Sequence, residues 1–319
     1  MAGGYMMSKA VFIDHKDGEL DPKIFTRIRK CFSSVDFVMS DDPKKLQKIK
    51  DAEALFVKIF TKVDKTVIDA APKLKYIEVC STAFDAIDAK YARSNGVTVC
   101  NLGGYSTEAV AEFFFAALLE TGRELEKAKK QARKEDYSFD KFMGLELKNK
   151  TFGVIGAGSI GGRIAGIGNG FGMRVLYVAK TKKPHLEKFG AKKTTIETIA
   201  KQSDVISINL ILNKETKGIV SNKIISLMKK GCVVISLAPP PLIDQEAMMK
   251  RAGKGDITFI FDHSDDINPA LAKRFLKTKN CIVYPPVAFR TTQANINRWE
   301  TFAENIEKFV AGKPQNVVN

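Results

Sequence analysis

The sequence has no long apolar run. No stretch of the 319-residue chain reaches the roughly 18 consecutive apolar residues that a membrane-spanning helix needs, so we expect no membrane segment. The start, MAGGYMMSKAVFID, places no basic residue ahead of its apolar residues and reads as a first strand. We therefore expect no signal peptide.

Cysteine and histidine are scarce. The cysteines are odd in number, widely spaced and never form Cys-x-x-Cys: Cys31, Cys80, Cys100, Cys232 and Cys281. This usage predicts reduced thiols in a cytoplasmic protein and argues against a disulfide framework or a zinc site. The 3 histidines are too scattered for a metal cluster, so we predict no bound metal.

Acidic residues are outnumbered, 36 against 51 basic residues, which gives a net charge of +15. Such a charge favours anionic partners. The lysines are dispersed, however, and no basic platform interleaved with aromatic residues is present, so nucleic acid is not the expected partner. A phosphorylated cofactor, an anionic small-molecule substrate or simple solubility accounts for the charge with fewer assumptions.

Short β-rich runs alternate with helical patterns along the whole chain. The runs at 10–14, 54–57, 76–79, 152–155, 204–209, 232–236 and 257–261 are predicted to be strands. This alternation predicts an α/β protein built on doubly wound parallel sheets. Two domains are the natural expectation for this length.

The most informative stretch is TFGVIGAGSIGG, residues 151–162. An apolar strand runs into Gly156-Ala-Gly158-Ser159-Ile160-Gly161, and a helical pattern follows. This is the Gly-x-Gly-x-x-Gly fingerprint in the strand–turn–helix context that it requires. Gly156 permits the tight turn, Gly158 lets a pyrophosphate approach the backbone, and Gly161 lets the helix pack closely. The alternative is a glycine-rich turn of another α/β protein.

The following strand predicts which dinucleotide is bound. Sites that select NAD usually end this strand with an acidic residue that binds the ribose 2′-hydroxyl. No Asp or Glu occurs between Ser159 and His185, and the strand ends in Ala179-Lys180-Thr181-Lys182. Lysines and a threonine here are able to bind a 2′-phosphate, which favours NADP(H), with NAD(H) as the alternative. A solvated lysine-rich loop is the non-functional interpretation.

The order of motifs resembles the D-2-hydroxyacid dehydrogenase family over nearly the whole chain. The segments that carry the resemblance are STAFDAID (81–88), NLGGYSTEAVAE (101–112), GLELKNKTFGVIGAGSIG (144–161), LNKETKGIV (212–220), MKKGCVVIS (228–236), LIDQEAM (242–248) and the tail GKPQNVVN.

The resemblance implies two Rossmann-like domains with a cleft between them. Residues 1–104 with 291–319 would form a flavodoxin-like substrate domain, and 105–290 the NADP-binding Rossmann domain. It also implies cofactor contacts at Leu210, Ala238 and Asp262, and a homodimer joined through the helical region 106–134.

Two family positions depart from the pattern. The family has an arginine that clamps the substrate carboxylate, where this chain has Pro239. The family's general acid/base histidine is matched by Pro286. The glutamate that orients this histidine should lie near Asp265 and Asp266, where no glutamate fits. Since removal of a positioned acid costs ~10²–10⁴-fold in rate, ordinary 2-oxo acid reduction is not expected as the main activity.

Two hypotheses account for retained glycines and lost catalytic residues. One is an NADP(H)-dependent reductase of a C=N, a C=C or an unusual carbonyl group, with His263 or Tyr284 as the new acid and Lys58 as an anion-binding residue. The other is a catalytically silent NADP(H)-binding sensor or interaction protein. Structural roles without chemistry are the alternative for each of these three side chains.

Overall fold

A computed structural model describes residues 6–263 and 267–319. The chain divides into two compact units, each built on a parallel sheet. Unit 1 contains the residues up to Ser106 together with Thr291–Asn319, and unit 2 contains Thr107–Arg290. The predicted class, α/β with doubly wound parallel sheets, is confirmed.

Unit 1 has a five-stranded sheet in the order β2-β1-β3-β4-β5. Every pairing in it is parallel. The strands are β1 (Met7–Ile13), β2 (Phe32–Val38), β3 (Ala54–Val57), β4 (Tyr76–Val79) and β5 (Thr98–Cys100). The helices between them are α1 (Pro22–Arg29), α2 (Lys45–Lys48), α3 (Lys65–Asp69) and α4 (Ala89–Ser94).

Unit 2 has a seven-stranded parallel sheet in the order β12-β11-β10-β9-β6-β7-β8. The strands are β6 (Thr151–Ile155), β7 (Arg174–Val178), β8 (Lys192–Lys193), β9 (Val205–Ile208), β10 (Cys232–Ser236), β11 (Ile257–Phe261) and β12 (Cys281–Val283). The helices are α5 (Thr107–Gly122), α6 (Leu125–Ala132), α7 (Ser159–Gly170), α8 (Pro184–Glu187), α9 (Ile196–Gln202), α10 (Asn222–Leu227), α11 (Gln245–Gly253) and α12 (Pro269–Lys277).

Each sheet is covered on both faces because alternate side chains enter opposite core layers. In β6, Phe152 and Val154 pack with α5 and α7, whereas Ile155 faces the layer of α9, α10 and α11. In β1, Val11 and Phe12 likewise enter different layers. Continuous apolar strands are what a sheet buried on both faces requires, and the sequence shows them.

The last helix, α13 (Thr292–Val310), belongs to unit 1. Its Asn305 is fully buried and donates to Glu78 Oε1 on β4 at 2.7 Å. Glu78 also accepts from the Tyr76 hydroxyl at 2.9 Å. Burial raises the pKa of Glu78 well above its usual value. These polar contacts connect the end of the chain to the first sheet.

Several short elements lie outside the sequence-based predictions: α4, α8, β8 and α12. The long helix α5 contains three consecutive phenylalanines and is not buried on all sides. Phe114 and Phe115 are in the core, whereas Phe113 is half-buried.

Candidate functional site

The glycine turn after β6 has a geometry that only glycine permits. Gly156 has φ +96°, and its amide donates to the carbonyl oxygen of Val178 at 3.0 Å. A Cβ on Gly156 would lie 2.8 Å from the Asn209 carbonyl oxygen. A Cβ on Gly161 would lie 2.0 Å from the Gly156 carbonyl oxygen. The turn therefore brings helix α7 against the end of β6 more closely than any side chain allows.

Gly158 has a different role from the other two glycines. It is the residue that precedes α7, and a Cβ built on it would meet nothing within 4 Å. The protein's own packing does not require glycine here, but a side chain would cover the backbone amides of the first helical turn. Those amides, of Ser159 and Ile160 among others, have no intrahelical acceptor and bind anions well. The residues present fit a dinucleotide pyrophosphate.

The other predicted cofactor residues lie at the same edge of the unit 2 sheet. Each is the first or second residue after a strand: Ala179 after β7, Leu210 after β9, Ala238 after β10 and Asp262 after β11. Strands β6 and β9 are neighbours, although β7 and β8 separate them along the chain. Such a switch point, at the carboxyl ends of parallel strands, is where open α/β sheets bind their ligands.

The lysine loop after β7 is open to solvent. Lys180, Thr181 and Lys182 are all exposed. Lys180 Nζ lies 3.0 Å from Glu215 Oε2, with the two side chains 86% and 74% exposed. Glu215 comes from the segment after β9, so an argument from the residues near β7 alone missed it. An ion pair this exposed is weak and is easily replaced by a phosphate.

Asp262 connects two loops at this edge. It is buried, and its Oδ2 accepts from the amide of Ala288 at 3.2 Å. The segment that follows β12 turns through further backbone bonds, from Val287 to the Pro285 oxygen at 2.7 Å and from Arg290 to the Val287 oxygen at 2.9 Å. Asp262 thereby fixes the loop that carries Pro286.

Comparison with known proteins identifies the family. The profile of the D-isomer specific 2-hydroxyacid dehydrogenase NAD binding domain matches residues 115–288. The chain is 32% identical to a glyoxylate reductase of Thermococcus litoralis over 283 residues, which cover 86% of each chain. The chain belongs to the D-isomer-specific 2-hydroxyacid dehydrogenase family. It is accordingly an NAD(P)-dependent oxidoreductase by family, as predicted.

Solved structures of this dehydrogenase family resemble the chain over nearly its full length. One is the acyclic imino acid reductase Bsp5 in complex with NADPH and D-Arg, with a TM-score of 0.85 and 28% identity over 98% of this chain and 100% of that one. Another is the D-lactate dehydrogenase of Aquifex aeolicus with NAD and lactic acid, with a TM-score of 0.82 and 27% identity over 95% and 96% of the two chains.

Pro239 and Pro286, predicted to match the family's arginine and histidine, lie in ordered turns. Pro239 follows β10 and precedes a short 3₁₀ turn, Pro240–Leu242. The Leu242 amide donates to the Pro239 carbonyl oxygen at 3.2 Å, and the Gly218 amide donates to the Pro241 oxygen at 2.8 Å. Neither Pro239 nor Pro286 offers a side chain that binds a carboxylate or carries a proton.

Tyr284 is bound to the long helix of the same unit. Its hydroxyl donates to Glu120 Oε2 on α5 at 2.6 Å, and its ring lies edge-on to Phe113 with centroids 5.3 Å apart. Burial, with Glu120 second, raises the pKa of Tyr284 well above its ordinary value. The phenol is therefore protonated at neutral pH, and its proton is directed to Glu120. Sequence reasoning missed this partner, for which helix α5 gave no local signal.

His263 lies at the end of the described segment after β11. Its side chain is 30% exposed, and its Nε2 lies 3.9 Å from Asp262 Oδ1. The glutamate position sought near Asp265 and Asp266 lies outside the described residues. His263 is thus at the same sheet edge as the glycine turn, while its role stays a prediction.

Lys58 belongs to unit 1, where it follows β3. Its Nζ lies 2.8 Å from Glu19 Oε1, with the lysine side chain 41% exposed. Burial raises the pKa of Glu19, but hydrogen bonds from Lys58 and from the Lys16 amide outweigh this, so the pKa is lowered overall. The lysine predicted to bind an anion therefore already binds a carboxylate of its own chain.

Two other kinds of site are absent from the part of the chain that the structure describes. No helix there has both the length and the apolar composition to cross a membrane. Within the same residues, no group of three or more His, Cys, Asp or Glu side chains is arranged to hold a metal ion.

Proposed function

We propose that this chain is an NADP(H)-dependent reductase of an imino acid, acting on a C=N bond rather than on a simple 2-oxo acid. The observation that carries the proposal is the pair of prolines, Pro239 and Pro286, at the positions that correspond to the family's carboxylate-clamping arginine and acid/base histidine. Both lie in turns that are fixed by backbone hydrogen bonds. We expect a pocket built for a different substrate.

The chemistry of the two reductions differs where the prolines matter. Reduction of a ketone produces an alkoxide, which needs a proton donor within hydrogen-bond reach. A protonated imine already carries its proton on nitrogen, and its reduction gives a neutral amine without any anion to stabilise. A chain that has lost its positioned acid is therefore better suited to an iminium than to a carbonyl group.

The comparisons add support. The imino acid reductase Bsp5, crystallised with NADPH and D-Arg, is similar to this chain over 98% of its length. Reduction of a C=C bond or of an unusual carbonyl group has no such support from the structures compared. We therefore choose the C=N bond among the alternatives that the sequence left open.

We propose that NADP(H) is preferred over NAD(H). Lys180, Thr181 and Lys182 are exposed at the end of β7, where a 2′-phosphate would lie. Displacement of the exposed Glu215 carboxylate from Lys180 costs little, because surface ion pairs contribute about 0–1 kcal/mol. NAD(H) stays the alternative.

The following roles are proposed for the chain's own residues. The amides of Gly158 and the first turn of α7 bind the pyrophosphate, while Leu210 and Ala238 lie beside the turn at the ends of β9 and β10. NADPH, when bound, supplies the hydride. Asp262 holds the loop of Pro286, and we propose His263 as a polar contact to the substrate. Tyr284, whose proton is directed to Glu120, is proposed to position that loop rather than to act as an acid.

The first experiment is thermal unfolding with saturating NADPH and, separately, NADH. Ligand at 100 times its dissociation constant adds ~2.7 kcal/mol to the unfolding free energy. We expect a shift with NADPH that exceeds the shift with NADH. Equal shifts, or a larger shift with NADH, would contradict the preference.

The second experiment separates imine reduction from 2-oxo acid reduction. NADPH oxidation is followed with glyoxylate or pyruvate alone, and again with an excess of methylamine, which forms the imine in solution. We expect at least a tenfold faster rate with the amine. Equal rates of NADPH oxidation with and without methylamine would indicate an ordinary 2-oxo acid reductase. Binding of NADPH without turnover of any substrate would favour the silent sensor.

We also propose that the chain forms a homodimer through unit 2. Exposed apolar side chains cluster just after the predicted region 106–134: Tyr137 is 78%, Phe139 79% and Met143 90% exposed. Contiguous exposed apolar residues of this kind mark interaction surfaces. Light scattering should give twice the chain mass of 35.3 kDa, and Phe139→Ser with Met143→Ser should give the single chain mass.

A further inference from the structure

His15 is buried without hydrogen bonds. Its exposed fraction is 2%, and among the described residues neither ring nitrogen has a hydrogen-bond partner. The ring lies edge-on to Phe12 and Trp299, at centroid distances of 5.5 and 6.4 Å. Burial is the main reason that the pKa of His15 falls to about 4. The neutral ring at pH 7 thus keeps one unused donor and one unused acceptor, which is costly unless a ligand uses them.

A carboxylate of the same chain lies next to this ring. Glu19 Oε2 is 3.6 Å from His15 Nδ1, too far for a hydrogen bond but close enough for attraction. The other oxygen, Oε1, is 2.8 Å from Lys58 Nζ. Glu19 is partly exposed and follows Gly18, whose φ is +79°, in a turn at the surface. The structure thus shows a carboxylate seated between a lysine and a histidine.

A second cation with unused donor capacity is close by. Arg298 on α13 stacks over Trp299 with its guanidinium carbon 4.5 Å from the ring centroid. Its Nε is buried and has no hydrogen-bond partner among the described residues, while one terminal nitrogen donates to Asn295 at 3.1 Å. Its charge and that of Lys58 both lower the pKa of His15.

The other acid near His15 is already fully engaged. Asp14 accepts from the Ser40 amide at 2.7 Å, from the Ser40 hydroxyl at 2.5 Å and from the Thr61 hydroxyl at 2.6 Å. Its pKa is lowered, because these hydrogen bonds outweigh burial, which raises it. Glu19 also accepts hydrogen bonds, from Lys58 Nζ and from the Lys16 amide, each at 3.0 Å to Oε2. It lies in an exposed turn, however, so solvent is able to replace these bonds, and Glu19 is the acid of the two that is able to leave the cluster.

The position of the cluster in the sheet is the second independent observation. His15 follows β1 and Lys58 follows β3, and these neighbouring strands flank the place where the strand order of unit 1 reverses. Open parallel sheets bind ligands at the carboxyl ends of the strands at such a switch point. The unused donors of His15 and Arg298 are therefore at the place in the fold where a ligand is expected.

We propose that the switch point of unit 1 is a carboxylate-binding subsite formed by Lys58, His15 and Arg298, that Glu19 occupies it in the free protein, and that the carboxylate of an acid substrate enters by displacing Glu19. The identification of this carboxylate with that of the imino acid rests on the proposed function. All three residues of the subsite belong to unit 1.

A variant with higher ligand affinity would distinguish a binding site from a cluster that only stabilises the fold. Glu19→Gln keeps the shape of the side chain but removes the competing carboxylate. We expect it to tighten the binding of D-alanine, measured by calorimetry on the full chain with NADP⁺ present, by at least fivefold. Lys58→Gln should weaken the same binding by at least tenfold. Lys62→Gln, which removes a lysine that is 78% exposed in the same loop, is the matched control and should change nothing.

A spectroscopic measurement on the unmodified protein gives an independent answer. The chain has 3 histidines, so histidine-selective labelling yields a short NMR spectrum in which His15→Gln identifies one resonance. D-Alanine should shift the His15 signal, whereas D-alaninamide, which lacks the carboxylate, should not. Any one of three results would overturn the subsite. These are an unchanged affinity of Glu19→Gln for D-alanine, binding of D-alaninamide as tight as that of D-alanine, and a His15 signal that does not shift at saturating D-alanine.

The two proposals fail in different ways. If D-alanine shifts the His15 NMR signal but no imine is reduced with NADPH, the subsite is supported and the proposed reaction is wrong. If imines are reduced while D-alanine leaves the His15 signal unshifted, the reaction is supported and the subsite is wrong. A KM for the imine of pyruvate and methylamine that rises at least tenfold in Arg298→Gln, with kcat changed less, would support a binding role for Arg298.

Discussion

The two units use the same topology to build two chemically different edges. Each has a parallel sheet whose strand order reverses once, between β6 and β9 in unit 2 and between β1 and β3 in unit 1. In unit 2 the edge consists of glycines and backbone amides. In unit 1 it consists of ionisable side chains, His15, Lys58 and Glu19. The edge of unit 2 admits a ligand because side chains are absent. The edge of unit 1 attracts a ligand because its side chains have incompletely satisfied hydrogen-bonding groups.

The two edges also differ in what their formation costs. A site made of backbone amides costs conformational entropy on folding, because its glycines are flexible in the unfolded chain, and it is rigid once the helix has formed. A site made from ionisable groups costs desolvation, which here keeps His15 neutral; among residues 6–263 and 267–319 its ring nitrogens have no hydrogen-bond partner. The backbone site of unit 2 binds a phosphate through its shape and the dipole of α7. The ionisable site of unit 1 binds a carboxylate in exchange for that of Glu19.

The largest expected effect is on the backbone site. Gly158→Val should lower NADPH affinity at least a thousandfold, about 4 kcal/mol, because the new side chain covers the first-turn amides. The fold should persist, since a Cβ at Gly158 meets nothing within 4 Å. Calorimetric titration and a thermal melt of the same sample check both statements. Unchanged affinity would mean that the dinucleotide does not pass over Gly158.

The next effect concerns acid stability and unit 1. His15 has a folded pKa of about 4 against an ordinary value of 6.5. Between these values the unfolded chain binds a proton that the folded chain does not, so stability falls as the pH is lowered from 6.5 to 4 and is flat above. The loss should be about 3 kcal/mol at pH 4.

The matched measurement compares the wild type with His15→Gln by thermal unfolding at pH 7 and pH 4. The other titrating groups are common to both proteins, so the wild type should lose more stability on acidification than the variant does. Parallel losses in the two proteins would contradict a buried, neutral His15.

A smaller effect should appear where side chains border the backbone site. Lys180→Gln with Lys182→Gln should weaken NADPH about tenfold, ~1.4 kcal/mol, and leave NADH unchanged, because only the 2′-phosphate is lost as a partner. The exposed pair Lys188→Gln with Lys192→Gln removes the same charge elsewhere in unit 2 and serves as control. Equal weakening by both pairs would indicate a general effect of net charge.

The smallest effect is on α7 itself, which contains glycines beyond the fingerprint. A Cβ at Gly166 meets nothing within 4 Å, whereas one at Gly168 would lie 2.5 Å from Phe152 Cδ1. Gly166→Ala should therefore stabilise by ~1 kcal/mol, and Gly168→Ala should destabilise. Melting temperatures of the two variants test this. Stabilisation by both would mean that α7 does not pack closely on β6.

Much of the fold was predictable because its signals are local. The strands β3, β4, β10 and β11 begin and end where the apolar runs do. The glycine spacing identified the turn after β6, and the family resemblance identified the class of enzyme. The elements that were missed, such as β8 with its two lysines and the helix α12, are short or polar and have no strong periodicity.

By itself the sequence determined the parallel α/β architecture and the glycine turn after β6, because each depends on neighbouring residues. That Pro239 and Pro286 stand in place of catalytic side chains stays a prediction. Only the tertiary structure decided which side chains meet: Tyr284 with Glu120, Lys180 with Glu215, and Glu19 with Lys58 beside His15. The physical reason is that these partners come from different strands and helices. Their contacts depend on strand order and burial, and neither is written in the local sequence.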